Sequence, residues 1–285
     1  MTEQVKSFFH DQTKTWSHVF VGADGSGAAI IDPVLDYEAS SGRTHTASAD
    51  AIIDWVRAQG LALEWILETH AHADHLSAAP HIKAALGGRI GIGEGIRKVQ
   101  ARFKQIFNMS DLEPDGSVFD HLFAEGERFT VGGSTFEVLP TPGHTNDSVT
   151  YVVDGHAFIG DTLFAPDFGS ARCDFPGGDA GELFASIRKL YALGDDTSLY
   201  LCHDYAPEGR EPRPWFSVAE QRQANRHVRD ETSESEFVSM RTTRDRDLPL
   251  PELIVPSVQV NVRAGRLPPS EDNGIAYIKV PLNTL

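Results

Sequence analysis

The chain has 285 residues, 40% of them hydrophobic, which is enough to bury a sizeable core and fits one large α/β domain. Its formal net charge of -16 argues against nonspecific binding to nucleic acid or to an anionic membrane surface. Its two cysteines, Cys173 and Cys202, make no disulfide framework and point to a reducing compartment.

Met1 to Gln12 carries Glu3 and Asp11 and no long apolar stretch, so it reads neither as a secretory signal nor as an Arg-rich transit peptide. No run of about 18 apolar residues occurs, so no membrane span is expected and a cytoplasmic location is. Trp16 to Val21 alternates as a strand, Ala23 to Gly27 is a turn, and Ala28 to Ile31 is a short strand broken by Asp32-Pro33. Asp36 to Ser48 is polar and reads as a loop. Ala49 to Gln59 sets Ile52, Ile53 and Val56 at a helical period, and Gly60 supplies the stop. Leu63 to Leu67 is the next strand, and it delivers Thr69-His70-Ala71-His72-Ala73-Asp74-His75 at its C-terminal end. A helical pattern from Leu76 to Leu86 follows, so the order is strand, helix, strand, histidine cluster, helix, as in α/β proteins.

Arg89 to Ile92 reads as a strand, and Gly91 to Gly95 lacks a full dinucleotide fingerprint. Ile96 to Phe107 is a helix and Asp111 to Gly116 a loop. Phe129 to Val131 and Thr135 to Leu139 flank Gly132-Gly133, a hairpin signal, and lead to the rigid turn Thr141-Pro142-Gly143-His144-Thr145. Val149 to Val153 and Ala157 to Ile159 flank Asp154-Gly155, and the second strand runs into Gly160-Asp161. A loop over Phe164 to Gly178 precedes a helix over Ala180 to Leu193. Ser198 to Cys202 is a strand ending in His203-Asp204-Tyr205, and Ala206 to Pro214 is Pro-rich. Val218 to Val228 and Ser233 to Arg241 read as helices, and the chain from Leu248 onward as Pro-rich and extended.

Metal-capable residues therefore stand at four strand ends: His70, His72, Asp74 and His75; His144; Asp161; and His203. Loops converge at the C-terminal ends of strands in α/β proteins, which is where sites are placed. Histidines at i and i+2 of an extended segment face one side, and the following turn brings Asp74 and His75 into the same space. Neutral imidazole and carboxylate suit zinc or iron. The other seven histidines sit in ordinary turn, strand or helix contexts.

The ordered set Thr-His-x-His-x-Asp-His at 69–75, Pro-Gly-His at 142–144, Gly-Asp at 160–161 and His203 resembles the metallo-β-lactamase superfamily over roughly residues 16–228. The resemblance implies an α/β fold, a four-layer αββα sandwich with the site at one edge. The expected organisation is one domain over 1–285, with 229–285 packed on the core. Ile31 to Val34, His72 to His75, Pro142 to Thr145 and His203 to Tyr205 are similar to glyoxalase II and to persulfide dioxygenases alike. Three features resemble the persulfide dioxygenase group more closely. Ser170 to Phe175 is similar to its Gly-Arg-x-Asp-Phe loop, and Glu220 to Arg226 to its Glu-x-Arg-x-x-Asn-x-Arg helix. Glu236-Phe237-Val238, followed by Leu248-Pro249 and Val255-Pro256, resembles its short C-terminal segment. Segments 36–48 and 95–117 are longer than in the simplest members.

That branch implies oxidation of the sulfane sulfur of glutathione persulfide by O2, giving sulfite and glutathione. It implies one Fe(II) per chain on His70, His144 and Asp161, a facial triad with open positions. His72, Asp74, His75 and His203 would then stand behind the ligands and orient them, as would Asp32. The alternative is a glyoxalase II-like zinc hydrolase of glutathione thioesters. Its first metal would sit on His70, His72 and His144, its second on Asp74, His75 and His203, with Asp161 bridging. Glutathione brings carboxylates to an acidic protein, so Arg172 and Arg222 are read as substrate contacts, with Tyr205 beside them. Cys173 reads as a small packed residue. The resemblance also implies a homodimer.

Overall fold

The computed structural model describes residues 4–284; the first three positions of the N-terminal stretch read above, and Leu285, lie outside the described residues. The strands are β1 (Val5–His10), β2 (Thr15–Val21), β3 (Gly27–Ile31), β4 (Val34–Glu38), β5 (Arg43–His45), β6 (Ala62–Leu67), β7 (Leu76–Ser77), β8 (Arg89–Gly93), β9 (His121–Phe123), β10 (Arg128–Val131), β11 (Ser134–Pro140), β12 (Val149–Val153), β13 (His156–Phe158), β14 (Ser198–Tyr200) and β15 (Trp215–Ser217). The helices are α1 (Ala47–Ala58), α2 (Ala79–Leu86), α3 (Ile96–Ile106), α4 (Ala180–Tyr191), α5 (Val218–Ala224), α6 (Glu234–Asp245) and α7 (Ile254–Asn261).

Successive side chains of a strand point to opposite faces, and β2 and β3 are apolar on both. Val19, Ala28 and Ile30 face one side, and Phe20, Ala29 and Ile31 the other, all buried. Such strands must be covered twice. They lie within a six-stranded sheet ordered β1-β2-β3-β6-β8-β9. Ile52 and Val56 of α1, Ile82 of α2, Phe103 of α3 and Val258 of α7 cover its outer face. Its inner face sets Phe20, Ile31, Trp65 and Leu67 against Phe136, Val138, Tyr151 and Phe158 of a second six-stranded sheet, β10 to β15 in chain order. The outer face of that sheet, with Ala157 and Leu199, receives Leu183 and Ile187 of α4, Val218 of α5 and Phe237 of α6. The stack is helices, sheet, sheet, helices: the expected four-layer sandwich. No helix among the described residues is long and apolar enough to cross a membrane.

The structure departs from the sequence reading in five places. The helix read from Leu76 begins only at Ala79, because Leu76–Ser77 is β7 and pairs with β4. Residues 36–48 are not a plain loop. They hold β5 and most of β4, which join β7 in a three-stranded sheet. Both faces of that hairpin are largely wet, so no alternation of apolar residues marks it. The helix read over 218–228 stops at Ala224, because Asn225 turns to an extended backbone (φ -60°, ψ 124°). The tail after Leu248 is not extended throughout. It contains α7, whose Pro256 lies in the first turn, where a backbone N–H has no intrahelical partner to lose. Finally, β1, β9 and β15 are strands that the reading passed over. Two of them, β1 and β9, form the edges of the first sheet, and β15 forms one edge of the second.

His18 joins the two sheets. Nε2–H donates to the Leu201 carbonyl (2.9 Å), and Nδ1 lies 2.9 Å from Ser7 Oγ. Burial pushes its pKa down to about 4, against the pull of the Leu201 carbonyl and Asp32. The unfolded chain therefore takes up this proton first as pH falls. The stability His18 contributes is present above pH 6.5 and is lost between 6.5 and about 4. Denaturant unfolding of His18→Gln across that window is expected to show a shallower pH slope than the parent, by up to ~1.4 kcal/mol per pH unit, one proton's worth. Parallel slopes would contradict the assignment.

Candidate metal centre

Four strand ends of the sandwich meet at one edge. β6 delivers residues 69–75, β11 leads into 141–145, β13 runs into Asp161, and β14 into His203. The potential ligands they carry are all buried except Asp74, which is partly so. The turn at 142–144 presses against α4. A Cβ on Gly143 (φ +129°) would sit 2.2 Å from the Leu183 backbone nitrogen, so only glycine lets the chain approach this closely.

The ring nitrogens are sorted by what lies behind them. Thr69 Oγ1 donates to Asp32 Oδ2 (2.9 Å), so its contact with His70 Nδ1 (3.1 Å) has the ring as donor. His144 Nδ1–H donates to the Arg172 carbonyl (2.8 Å). Both rings thereby turn an unprotonated Nε2 inward. His70 Nε2 lies 3.9 Å and His144 Nε2 3.8 Å from Asp161 Oδ2. Burial, with His72 and His144 beside it, holds His70 well below the ordinary histidine range, hence neutral and fit to ligate.

His72 is held differently. Its Nε2 is 3.0 Å from Asp32 Oδ1 and 3.4 Å from Glu68 Oε2, and its Nδ1 is 3.9 Å from Cys202 Sγ. His203 Nε2 lies 3.0 Å from Asp74 Oδ2 and 3.5 Å from Asp161 Oδ1. His75 is pushed down to about 4 by burial, with His72 adding to the effect. Burial raises the Asp161 carboxyl, and Asp74 nearby pushes the same way. A cation here would reverse that and keep it ionised.

His70 Nε2, both nitrogens of His75, His203 Nε2 and Asp161 Oδ1 are buried without a hydrogen-bond partner. Native interiors rarely leave such atoms unpaired, since each costs about 1–3 kcal/mol. Lone pairs that converge and have no donor fit a metal cation. Among the described residues two groups of histidine and carboxylate alone are assembled, each with its atoms within 4.8 Å of one another: His70, His144 and Asp161, and His72, Asp74, His75 and His203; two further groups bring in Cys202, one with Asp32 and His72 and one with Asp161 and His203.

A cavity of about 440 Å³ opens over the first group and is lined by Asp74, His144, Asp161, Phe164, Phe168, Arg172, Phe175 and Tyr205, among others. Tyr205 stacks on His203 (centroids 5.6 Å, 12°). The Arg172 guanidinium is already engaged, forking Asp174 (2.6 and 2.6 Å) and donating to the Pro249 carbonyl (2.6 Å). Arg222 is a correction. It does not line the cavity, and its guanidinium is taken up by Asp195 and Asp230.

Asp32 is more than the start of a turn. At φ +50° it accepts from Thr69 N (2.7 Å), Thr69 Oγ1 and His72 Nε2, and so holds the histidine segment. Three supports escaped the sequence reading. Asp147 accepts from Ala71 N (2.8 Å). Glu68 accepts from Ser77 Oγ. Asn261, at the end of α7, donates to the carbonyls of His72 and His75 (2.8 Å each) and accepts from Ser77 N (2.9 Å). The Asn261 contacts span up to 189 residues, so no local spacing could signal them. Asp147, three residues after His144, could have been noticed.

The profile of the metallo-beta-lactamase superfamily matches residues 12–203. A probable metallo-hydrolase of Burkholderia pseudomallei is 48% identical over 99% of both chains. Glyoxylase B2 of Dictyostelium discoideum is 45% identical over 99% of this chain and 98% of its own length. The mitochondrial persulfide dioxygenase ETHE1 of Bos taurus is 28% identical over 93% of this chain and 91% of its own. Among solved structures, ETHE1 from Myxococcus xanthus superposes with a TM-score of 0.72 at 28% identity, covering 92% of this chain and 99% of that one. The match over residues 12–203, joined to the four layers and the clustered ligands at their edge, makes this chain a member of the metallo-β-lactamase superfamily.

Proposed function

We propose that this protein is a persulfide dioxygenase that holds one Fe(II) on His70, His144 and Asp161. The observation that carries the reading is the grouping of the ligands. Two histidines and one carboxylate converge as a set, while His72 falls in the other group with its Nε2 turned to Asp32. Two histidines and a carboxylate with open positions are the pattern of non-haem iron oxygenases. The overlay on ETHE1 and the relationship to the bovine persulfide dioxygenase support the same reading.

The reaction is glutathione persulfide, O2 and water giving glutathione, sulfite and two protons. An iron held by His70, His144 and Asp161 would supply the one-electron chemistry that makes O2 reactive toward the sulfur. The rest falls to the chain. Asp32, through Thr69, fixes the His70 ring. The Arg172 carbonyl fixes His144. Phe164, Phe168 and Phe175 line the cavity and exclude water from the sulfur. Tyr205 keeps its phenolic proton, because burial pushes its pKa up, and can donate it in a hydrogen bond to the substrate. Arg172, paired with Asp174, braces the Leu248-Pro249 wall.

One observation favours the zinc hydrolase reading. His75 and His203 also have unpaired nitrogens, and Asp161 Oδ1 faces His203 while Oδ2 faces His70 and His144. The metallo-hydrolase and glyoxylase names of the two relatives above agree with it. Oxygen uptake with glutathione persulfide, run beside hydrolysis of a glutathione thioester on the same iron-loaded and zinc-loaded samples, separates the two. Stoichiometric O2 uptake and sulfite with iron, and negligible thioester turnover with either metal, is the expected result. Thioester turnover by the zinc form without O2 uptake by the iron form would overturn it.

A further inference from the structure

His227 is built into the cavity wall by contacts that leave one nitrogen over. Asn225 Oδ1 accepts from the His227 backbone N–H (2.9 Å), and Asn225 Nδ2 donates to the Gly169 carbonyl (3.1 Å). The ring lies flat against Gly169, where a Cβ would come within 2.2 Å of Nδ1. The Ser170 backbone N–H donates to Nδ1 (3.0 Å), so the ring proton sits on Nε2. Nε2 is buried and has no acceptor, although the residue lines the cavity over the metal groups. A donor left unpaired at the wall of a binding cavity points to a ligand acceptor.

Arg244, on α6, lines the same cavity and also a shallow depression along the helix. It is exposed, and among the described residues it makes no hydrogen bond or ion pair. The other two arginines on this wall are engaged: Arg172 with Asp174, and Arg241 with Asp245. Of the acidic groups lining the cavity, Asp74 and Asp161 belong to the metal groups, Asp174 is paired with Arg172, and Glu252 is exposed. Arg244 is close enough for its charge to act on His227. Burial, then Arg241, Arg244 and Arg226, push that ring down to about 4 and keep it neutral. A neutral N–H and an unpaired guanidinium lining one cavity offer two donors to an anion.

We propose that His227 and Arg244 form a carboxylate subsite on the cavity wall, which holds a thiol substrate by one carboxylate while its sulfur reaches the metal groups. The subsite rests on the dioxygenase reading only for the name of the thiol. Nε2–H of His227 bonds one carboxylate oxygen and the Arg244 guanidinium the other. The preference is for carboxylate-bearing thiols over neutral ones.

The test is calorimetric binding of glutathione, and of 2-mercaptoethanol as a carboxylate-free thiol, to the metal-loaded full chain. Wild type, Arg244→Gln and His227→Gln are compared, with melting curves to show that each is folded. Arg244 is exposed, so its variant is expected to fold normally. Glutathione should bind Arg244→Gln about tenfold or more weakly, the usual worth of a charge-assisted hydrogen bond, and 2-mercaptoethanol should bind unchanged. In turnover the same variant should raise KM and leave kcat within about twofold, since it removes binding common to ground and transition states. Equal glutathione affinity in wild type and Arg244→Gln would overturn the subsite and leave the dioxygenase reading standing. Selective loss of glutathione binding in a protein that consumes no O2 would support the subsite and overturn the dioxygenase reading. No glutathione binding by wild type would overturn both.

Discussion

Asp161→Ala is expected to lose its metal and, with it, turnover, by well over the ~100-fold that follows loss of a group that only orients a ligand. Asp161 is the carboxylate of the first ligand group that also reaches toward the second: Oδ2 faces His70 and His144, and Oδ1 faces His203. The one-iron arrangement takes it as a ligand, and the two-zinc arrangement takes it as the bridge. The loss should come without unfolding. Burial disfavours the ionised carboxylate, and Oδ1 has no hydrogen-bond partner, so the side chain is a burden on the metal-free fold. Metal-free Asp161→Ala should therefore melt no lower than metal-free wild type. Metal content by elemental analysis, read beside the two melting curves, checks both halves. A variant that keeps its metal, or one that loses metal only because it unfolds, would contradict this account.

Asp32→Ala is expected to act in the opposite way, through stability. The residue is buried, and its carboxylate takes three donors: Thr69 N, Thr69 Oγ1 and His72 Nε2. Burial works against its ionised form, but His72 and the Thr69 bonds outweigh burial and hold its pKa below the usual carboxylate range. Removing one partner of a buried charged pair costs about 3–5 kcal/mol. Alanine at φ +50° adds backbone strain of about 1–2 kcal/mol that aspartate and asparagine tolerate better. Asp32→Asn keeps the turn and one acceptor but leaves a donor facing a donor, so it should fall between alanine and wild type. Urea unfolding of the three proteins should rank them wild type, Asn, Ala. An alanine variant within about 1 kcal/mol of wild type would show that Asp32 does not hold the histidine segment.

Those two residues show what the sequence could and could not disclose. Asp161 was readable because Gly160-Asp161 ends a strand and recurs in order with the histidines, a local signal. The layers were expected from the resemblance that the ordered motifs carry, and the structure supplies the physical reason: β3 is buried along its whole length and β6 over its second half, and strands of that kind demand cover on each side. Asp32 was half readable. A residue before proline at a strand end announces a turn, but its grip on Thr69 and His72 is a contact across 37 and 40 residues. Asn261 was not readable, because α7 hides behind Pro251 and Pro256 and its contact lies far off in sequence. Arg222 misled because a charged residue on a site-following helix can equally find partners on its own side. Asp195 and Asp230 are those partners. His227 was read among the seven histidines in ordinary contexts, and Arg244 went unremarked because nothing near it in sequence tells which arginine of a wall lacks an acid beside it.

The central claim is that the first ligand group holds one redox-active metal. The most direct measurement is the number and kind of metal bound by the full chain after anaerobic loading with Fe(II), and separately with Zn(II), read by elemental analysis and iron spectroscopy. The expected result is one iron per chain, with a spectrum perturbed by glutathione, in wild type and in Asp74→Ala alike, and none in Asp161→Ala. Two metals per chain, falling to one or none in Asp74→Ala, would contradict it.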